Sequence, residues 1–185
     1  RLRACRPAGT RTVSVQRQRL FFALWPDDRV RQALFHWQTH NLSGKVRWAH
    51  RADLHLTLHF LGMVDEARID ELCRLGHEKA GSAFSLVLDK IGHWPKPQVL
   101  WAAPHSMPGE LSDLHARLGE ALSGLGFELE SRAFRPHVTL ARKVSDASGY
   151  GPLLPVTWMA SELALVESRT GDAPHYHPLA RWPLA

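Results

Sequence analysis

Histidine and threonine recur at one spacing twice in this chain, as His55-Leu56-Thr57-Leu58 and His137-Val138-Thr139-Leu140. The two histidines stand 82 positions apart. An ordinary histidine titrates near pH 6.5, so one ring can take a proton while a second gives one at neutral pH. A threonine hydroxyl is a neutral donor to an anionic substrate. Two copies of one strand, brought face to face, would build an acid–base site without metal or cofactor.

The elements that must position these residues are strands. Residues 54–61 alternate apolar and polar, which places His55, Thr57 and His59 on one face and Leu54, Leu56, Leu58 and Phe60 toward a core. Residues 134–141 behave alike, with His137 and Thr139 outward, Val138 and Leu140 inward, and Pro136 where a strand start tolerates proline. Around them the pattern predicts a strand from Leu20 to Trp25 and a helix capped by Asp27 running to about Thr39. A short strand over 46–49 and a helix over 65–80 follow. Further on come a strand over 84–91, a loop over 92–97, a short strand over 99–102 and a helix from Pro108 to Ser123. A strand over 127–130, a loop over 145–155, one long strand over 156–168 and a last strand over 176–184 complete the pattern. Strands joined by short loops imply antiparallel pairing, hence an α+β fold.

At 185 residues, 44% hydrophobic and 22% charged, the composition is that of a globular domain with length for a sizeable core. No apolar run has the length of a membrane span. Only Cys5 and Cys73 are present, which argues against a disulfide framework and fits a reducing, cytoplasmic setting. The formal charge of +5 is uneven: the first 19 residues hold six arginines and no acid, so the remainder carries −1. A nearly neutral body disfavours a broad, salt-driven grip on long nucleic acid and leaves room for a focused cationic pocket. Residues 1–18 are expected to be a poorly ordered Arg-rich extension, and 19–185 one domain, acting as a monomer.

The paired motifs and their flanks resemble the 2H phosphoesterase superfamily, and within it the bacterial and archaeal RNA 2′,3′-cyclic phosphodiesterases, once called 2′-5′ RNA ligases. The likeness is carried by Arg19-Leu20-Phe21-Phe22-Ala23-Leu24, residues 54–62, Val99-Leu100-Trp101, residues 134–142 (Phe-Arg-Pro-His-Val-Thr-Leu-Ala-Arg) and residues 176–184. The resemblance implies a bilobal α+β fold. Two antiparallel sheets face each other across a central active-site cleft, related by a pseudo-twofold axis, with one motif on each sheet and helices outside. It further implies hydrolysis of RNA 2′,3′-cyclic phosphate ends to 2′-phosphates without metal or cofactor, with reverse 2′-5′ ligation allowed in principle. By the same resemblance His55 is the proton donor to the departing 3′ oxygen and His137 the proton acceptor that activates water. Thr57 and Thr139 would hold non-bridging oxygens.

Arg142 matches a phosphate-binding arginine of that family. Strict alternation puts it on the face opposite His137 and Thr139, so only a bulge or the strand's end would bring it round. Trp94, between glycine and proline, is the candidate for stacking on a base; Trp48 and Trp101 are expected to pack in the interior. His59 is expected on the rim of the site. His55…His59 and His175-x-His177 invite a metal reading, but a spacing of four on a strand does not converge as it does on a helix and no carboxylate motif accompanies it, so no metal site is expected. Alternatives are a related enzyme acting on 2′-5′-linked oligonucleotides or small cyclic nucleotides, and a non-catalytic module that binds RNA ends.

Overall fold

The computed structural model describes residues 16–41 and 46–185. The expected N-terminal extension lies outside the described residues except for its last three, of which Arg17 and Gln18 already belong to the first strand. The strands are β1 (Arg17–Leu24), β2 (Arg47–Trp48), β3 (Leu56–Asp65), β4 (Phe84–Leu88), β5 (Lys90–Trp94), β6 (Val99–Ala103), β7 (Val138–Arg142), β8 (Val156–Ala160), β9 (Glu162–Ser168) and β10 (Tyr176–Pro183). The helices are α1 (Asp28–His40), α2 (Ile69–Lys79) and α3 (Gly109–Gly124). Among the described residues no helix is long and apolar enough to cross a membrane.

Two antiparallel sheets form, of unequal size. The larger runs β10-β9-β1-β3-β7-β6-β5, with β2 added to β7; the smaller pairs β4 with β8. The motif strands β3 and β7 are neighbours in the larger sheet, so the expected placement of one motif on each sheet is corrected. A single residue pair, Leu56 with Val138, joins them. These are the middle residues of the two motifs, and antiparallel partners sit about 5 Å apart at Cα. The seam between the halves of the sheet therefore runs through both His-x-Thr stretches.

Central β1 explains the layering. Leu20, Phe22 and Leu24 face the main core, where they meet Leu34 of α1, Leu72 of α2, Leu118 of α3 and Trp158 of β8. Phe21, Ala23 and Trp25 point to the other face and form a smaller buried cluster with Ala164 and Val166. A strand buried on both faces reads as the unbroken apolar run seen at 20–25. The helices and the small sheet thus cover one face of the large sheet and leave the other to the motif residues. Asp27 caps α1 as expected, its carboxylate accepting the Val30 N–H at 2.8 Å.

Four local expectations are corrected. The single strand over 156–168 breaks at Ser161 into β8 and β9, which enter different sheets. The strand over 84–91 likewise breaks at Asp89 into β4 and β5, which enter different sheets, and the loop over 92–97 gives up residues 92–94 to β5, which pairs with β6 from Lys90 to Trp94. Residues 127–130 form no strand; the chain leaves α3 through Leu125 and Gly126, and Phe127 packs under the Arg68 guanidinium at 4.2 Å.

Candidate active site

Both histidines sit one residue before a strand, and both are fixed the same way. His55 Nδ1 donates to the Asp53 carbonyl at 2.6 Å, and His137 Nδ1 donates to the Arg135 carbonyl at 2.8 Å. A carbonyl only accepts, so each contact places the proton on Nδ1 and leaves Nε2 free for chemistry. In the neutral ring His55 Nε2 accepts the Thr57 hydroxyl at 3.0 Å. His55 stacks on Trp25 (centroids 5.8 Å apart, 17° between planes), with Phe21 at 4.8 Å and Tyr176 edge-on at 4.7 Å. Burial in this aromatic nest drives its pKa down to about 4. Burial also lowers His137, with the nearby Arg142 charge acting the same way.

A cavity of about 670 Å³ opens on this face, lined by His55, Thr57, His137, Thr139, Arg142 and Phe60 among others. The structure thus brings together both histidines, both threonines and Arg142. Each motif strand carries a bulge at the matching position, and the one in β7 puts Arg142 there. In β7, Thr139 pairs with Trp101 and Ala141 with Leu100, leaving Leu140 as the extra residue. Leu140 and Ala141 are both fully buried, and Arg142 turns to the face of Thr139. In β3, Thr57 pairs with Ala23 and His59 with Phe22, leaving Leu58 as the extra residue. The last leucine of each motif is therefore the bulged one. The same inversion carries His59 away from the site, which corrects its expected place on the rim. His59 is 8% exposed, donates to the His115 carbonyl at 2.8 Å and stacks on the His115 ring. In its place Phe60 faces the cavity, 52% exposed.

Several site-building residues escaped the sequence reading. Arg47 stands directly across the β2–β7 ladder from Arg142, and both line the cavity. Like charges opposed in this way repel unless an anion lies between them. Two buried polar residues of α1, two turns apart, hold the motif flanks. Arg31 donates to the carbonyls of Pro26, Arg51 and Ala52 at 2.8, 3.2 and 2.8 Å, and its guanidinium lies 4.7 Å from the Trp25 ring centroid. The Arg51 and Ala52 carbonyls belong to the turn that presents Asp53 to His55. Gln38 donates to the carbonyls of Ala49 and of the bulged Leu140, at 3.1 and 2.8 Å. The Asp53 carboxylate, 5% exposed, accepts the His175 and Tyr176 N–H groups at 2.9 to 3.0 Å. The one cue in the sequence was the pairing of polar residues at 31 and 38 with an apolar helical face.

Trp94 lies outside this cavity. It stands edge-on to the His137 ring at 4.6 Å and lines a second cavity with Trp101, which is half-buried there and not an interior residue. Trp48 packs edge-on against Trp37 and Tyr150 but is likewise only half-buried and lines the first cavity, which corrects its expected interior place. His175 faces Arg47, Nε2 accepting from Nη2 at 3.1 Å. Among the described residues no group of three His, Cys, Asp or Glu side chains is arranged to hold a metal ion.

The arrangement is similar to that of known proteins over nearly its whole length. An RNA 2′,3′-cyclic phosphodiesterase of Escherichia coli is 32% identical over 176 residues, 90% of this chain and 97% of that protein. One of Thermus thermophilus is 34% identical over 90% of each chain. A crystal structure of E. coli LigT complexed with 3′-AMP superposes with a TM-score of 0.82 at 30% identity, covering 91% of this chain and 99% of that one. The sequence model of the 2′-5′ RNA ligase superfamily matches residues 26–172, and on these grounds the chain belongs to that superfamily.

Proposed function

We propose that the chain hydrolyses RNA 2′,3′-cyclic phosphate ends to 2′-phosphomonoesters, with the phosphorus held between His55 and His137. The observation that carries this is the matched pair of Nδ1–carbonyl bonds, which frees an Nε2 on each ring in a cavity lined by both threonines. The names of the E. coli and T. thermophilus relatives support the substrate, as does the 3′-AMP held by E. coli LigT.

His137 Nε2 takes a proton from water as the water oxygen bonds to phosphorus. The bond from phosphorus to the 3′ oxygen breaks, and the His55 Nε2 proton goes to that oxygen. One proton enters and one leaves, so solvent exchange resets the pair. In the free protein burial keeps both rings neutral at pH 7, since His55 titrates near 4 and His137 below its ordinary value. The negative charge of a bound phosphodiester offsets that desolvation and favours the charged imidazolium. Thr57, released from His55 Nε2, turns with Thr139 to the non-bridging oxygens, and Arg142 neutralises them. Arg47 completes the anion's surroundings from β2. The two halves act as pseudo-symmetric walls of one cleft, a reading supported by the shared bulge position at Leu58 and Leu140. Trp94 stands as the candidate for base stacking, on the far side of His137.

The test is product identity. RNA ending in a 2′,3′-cyclic phosphate, incubated with the protein and excess chelator, is expected to give a 2′-phosphomonoester by phosphorus NMR. Unchanged RNA or a 3′-phosphate would contradict the proposal.

A further inference from the structure

Across His137 from the histidine–threonine cavity lies a second cavity of about 410 Å³. His137 is a wall of both. Its lining combines the Trp94 and Trp101 rings, 5.3 Å apart at their centroids, with Lys90, His105 and Arg135, and includes no acidic side chain. This cationic lining stands out on a body whose net formal charge is near zero. The aromatic platform is built in advance: Gly92 lies across the ladder from Trp101, and a Cβ there would come within 2.1 Å of the Trp101 ring. Glycine at 92 thus lets the ring lie flat across β5.

We propose that this cavity is a subsite for a second nucleotide, its base on Trp94 and its phosphate near Lys90 and Arg135. The proposal rests on the two-histidine reading above, which uses the first cavity alone. Aromatic faces take any base, cations take the backbone, and the two together are the usual equipment for single strands. The first cavity has its own aromatic walls, Phe60 and Tyr176, for the nucleoside that carries the reacting phosphate. A substrate with two bases fills both cavities, its reacting phosphorus beside His137, the wall they share.

The test compares kcat/KM on four substrates: a 2′,3′-cyclic mononucleotide, a dinucleotide ending in a 2′,3′-cyclic phosphate, a 2′-5′-linked dinucleoside monophosphate, and a nucleoside 2′-methyl phosphate. The second places the extra nucleotide upstream of the reacting end, and the third places it across the phosphorus. The expected result is that one of the two-base substrates exceeds its one-base counterpart by about tenfold or more, the size of one base–aromatic stack. Trp94→Leu or Lys90→Glu is expected to lower that ratio at least fivefold. Because Trp94 touches His137, each variant is read only as a ratio between substrates that share one step, the cyclic dinucleotide against the cyclic mononucleotide and the 2′-5′-linked dinucleoside against the nucleoside 2′-methyl phosphate, which cancels damage to the chemistry. Equal kcat/KM within both pairs, or a gain that survives in both variants, overturns the proposal. No turnover of any substrate would instead refute the two-histidine reading.

Discussion

Gln38→Leu tests how the fold delivers Arg142 to the site. Gln38 is 2% exposed and donates to two carbonyls, those of Ala49 and Leu140. Leucine keeps the volume and removes both bonds. Each is worth about 0.5–1.5 kcal/mol net, so the variant is expected to lose about 2 kcal/mol of stability. For a chain of this size that is a fall in Tm of about 4–8 °C. The Leu140 carbonyl keeps its bond from the Ala49 N–H at 2.8 Å, so the strand is expected to persist with a looser bulge. The functional effect is read from a double-mutant cycle with Arg142→Ala. A charge-assisted contact to phosphate is worth about 1.5–3 kcal/mol, or about 10- to 150-fold in kcat/KM. In the Gln38→Leu background Arg142→Ala is expected to cost less than about fivefold, because the arginine is already displaced. Gln38→Glu separates donor from shape. An ionised glutamate facing two carbonyls is disfavoured, so its pKa rises, and the variant is expected to be stable in acid and to lose stability as pH rises through that raised value. An unchanged Tm in Gln38→Leu, or an equal cost of Arg142→Ala in both backgrounds, would refute the role given to the bulge.

Arg31→Met removes charged donors to three carbonyls and the cation over Trp25, and is expected to cost about 3 kcal/mol or more in urea denaturation; a loss below about 1 kcal/mol would contradict its place in the support of His55. Arg142→Lys is expected to recover only part of the activity lost in Arg142→Ala, since an ammonium does not reproduce the guanidinium fork, and full recovery would show that charge alone suffices. His55 has a folded pKa of about 4, below its ordinary 6.5, so its contribution to stability is complete above pH 6.5 and is lost as pH falls toward 4. Urea midpoints measured from pH 7.5 to 4 are expected to fall, and to fall less in His55→Phe; equal slopes in the two proteins would contradict the assignment. In pH–rate profiles the falling limb of kcat is expected at higher pH than that of kcat/KM, because the bound anion raises the acid's pKa. Coincident limbs would count against that coupling.

Periodicity was enough to locate the helices, the capping Asp27 and the strand at Leu20 to Trp25, because each depends on neighbours within a few residues. The candidate site was legible for a related reason: His55, Thr57, His137 and Thr139 repeat as a local pattern, and all four line one cavity. What periodicity misses is a change of phase. The bulges at Leu58 and Leu140 shift each strand by one residue, so alternation puts His59 in the site and Arg142 outside it, the reverse of what the ladders show. Bulges follow from pairing with β1 and β6, which lie far away in sequence. The break at Ser161 is hidden likewise, since β8 and β9 are both good strands and only their partners differ. Arg31 and Gln38 lie beside the apolar stripe of α1, but nothing local marks them as buried. Their burial follows from the packing of α1 over two turns it does not adjoin in sequence.

The most direct measurement is the single-turnover rate on RNA ending in a 2′,3′-cyclic phosphate, with chelator present, for His55→Ala, His137→Ala and the double variant. General acid or base help from one residue is worth about 10²- to 10⁴-fold, and residues acting as one unit lose far less together than the product of their single losses. Each single variant is expected to fall by at least about a hundredfold, with the double variant close to the slower single one. Retention of the wild-type rate within about tenfold by either single variant would contradict two-histidine catalysis.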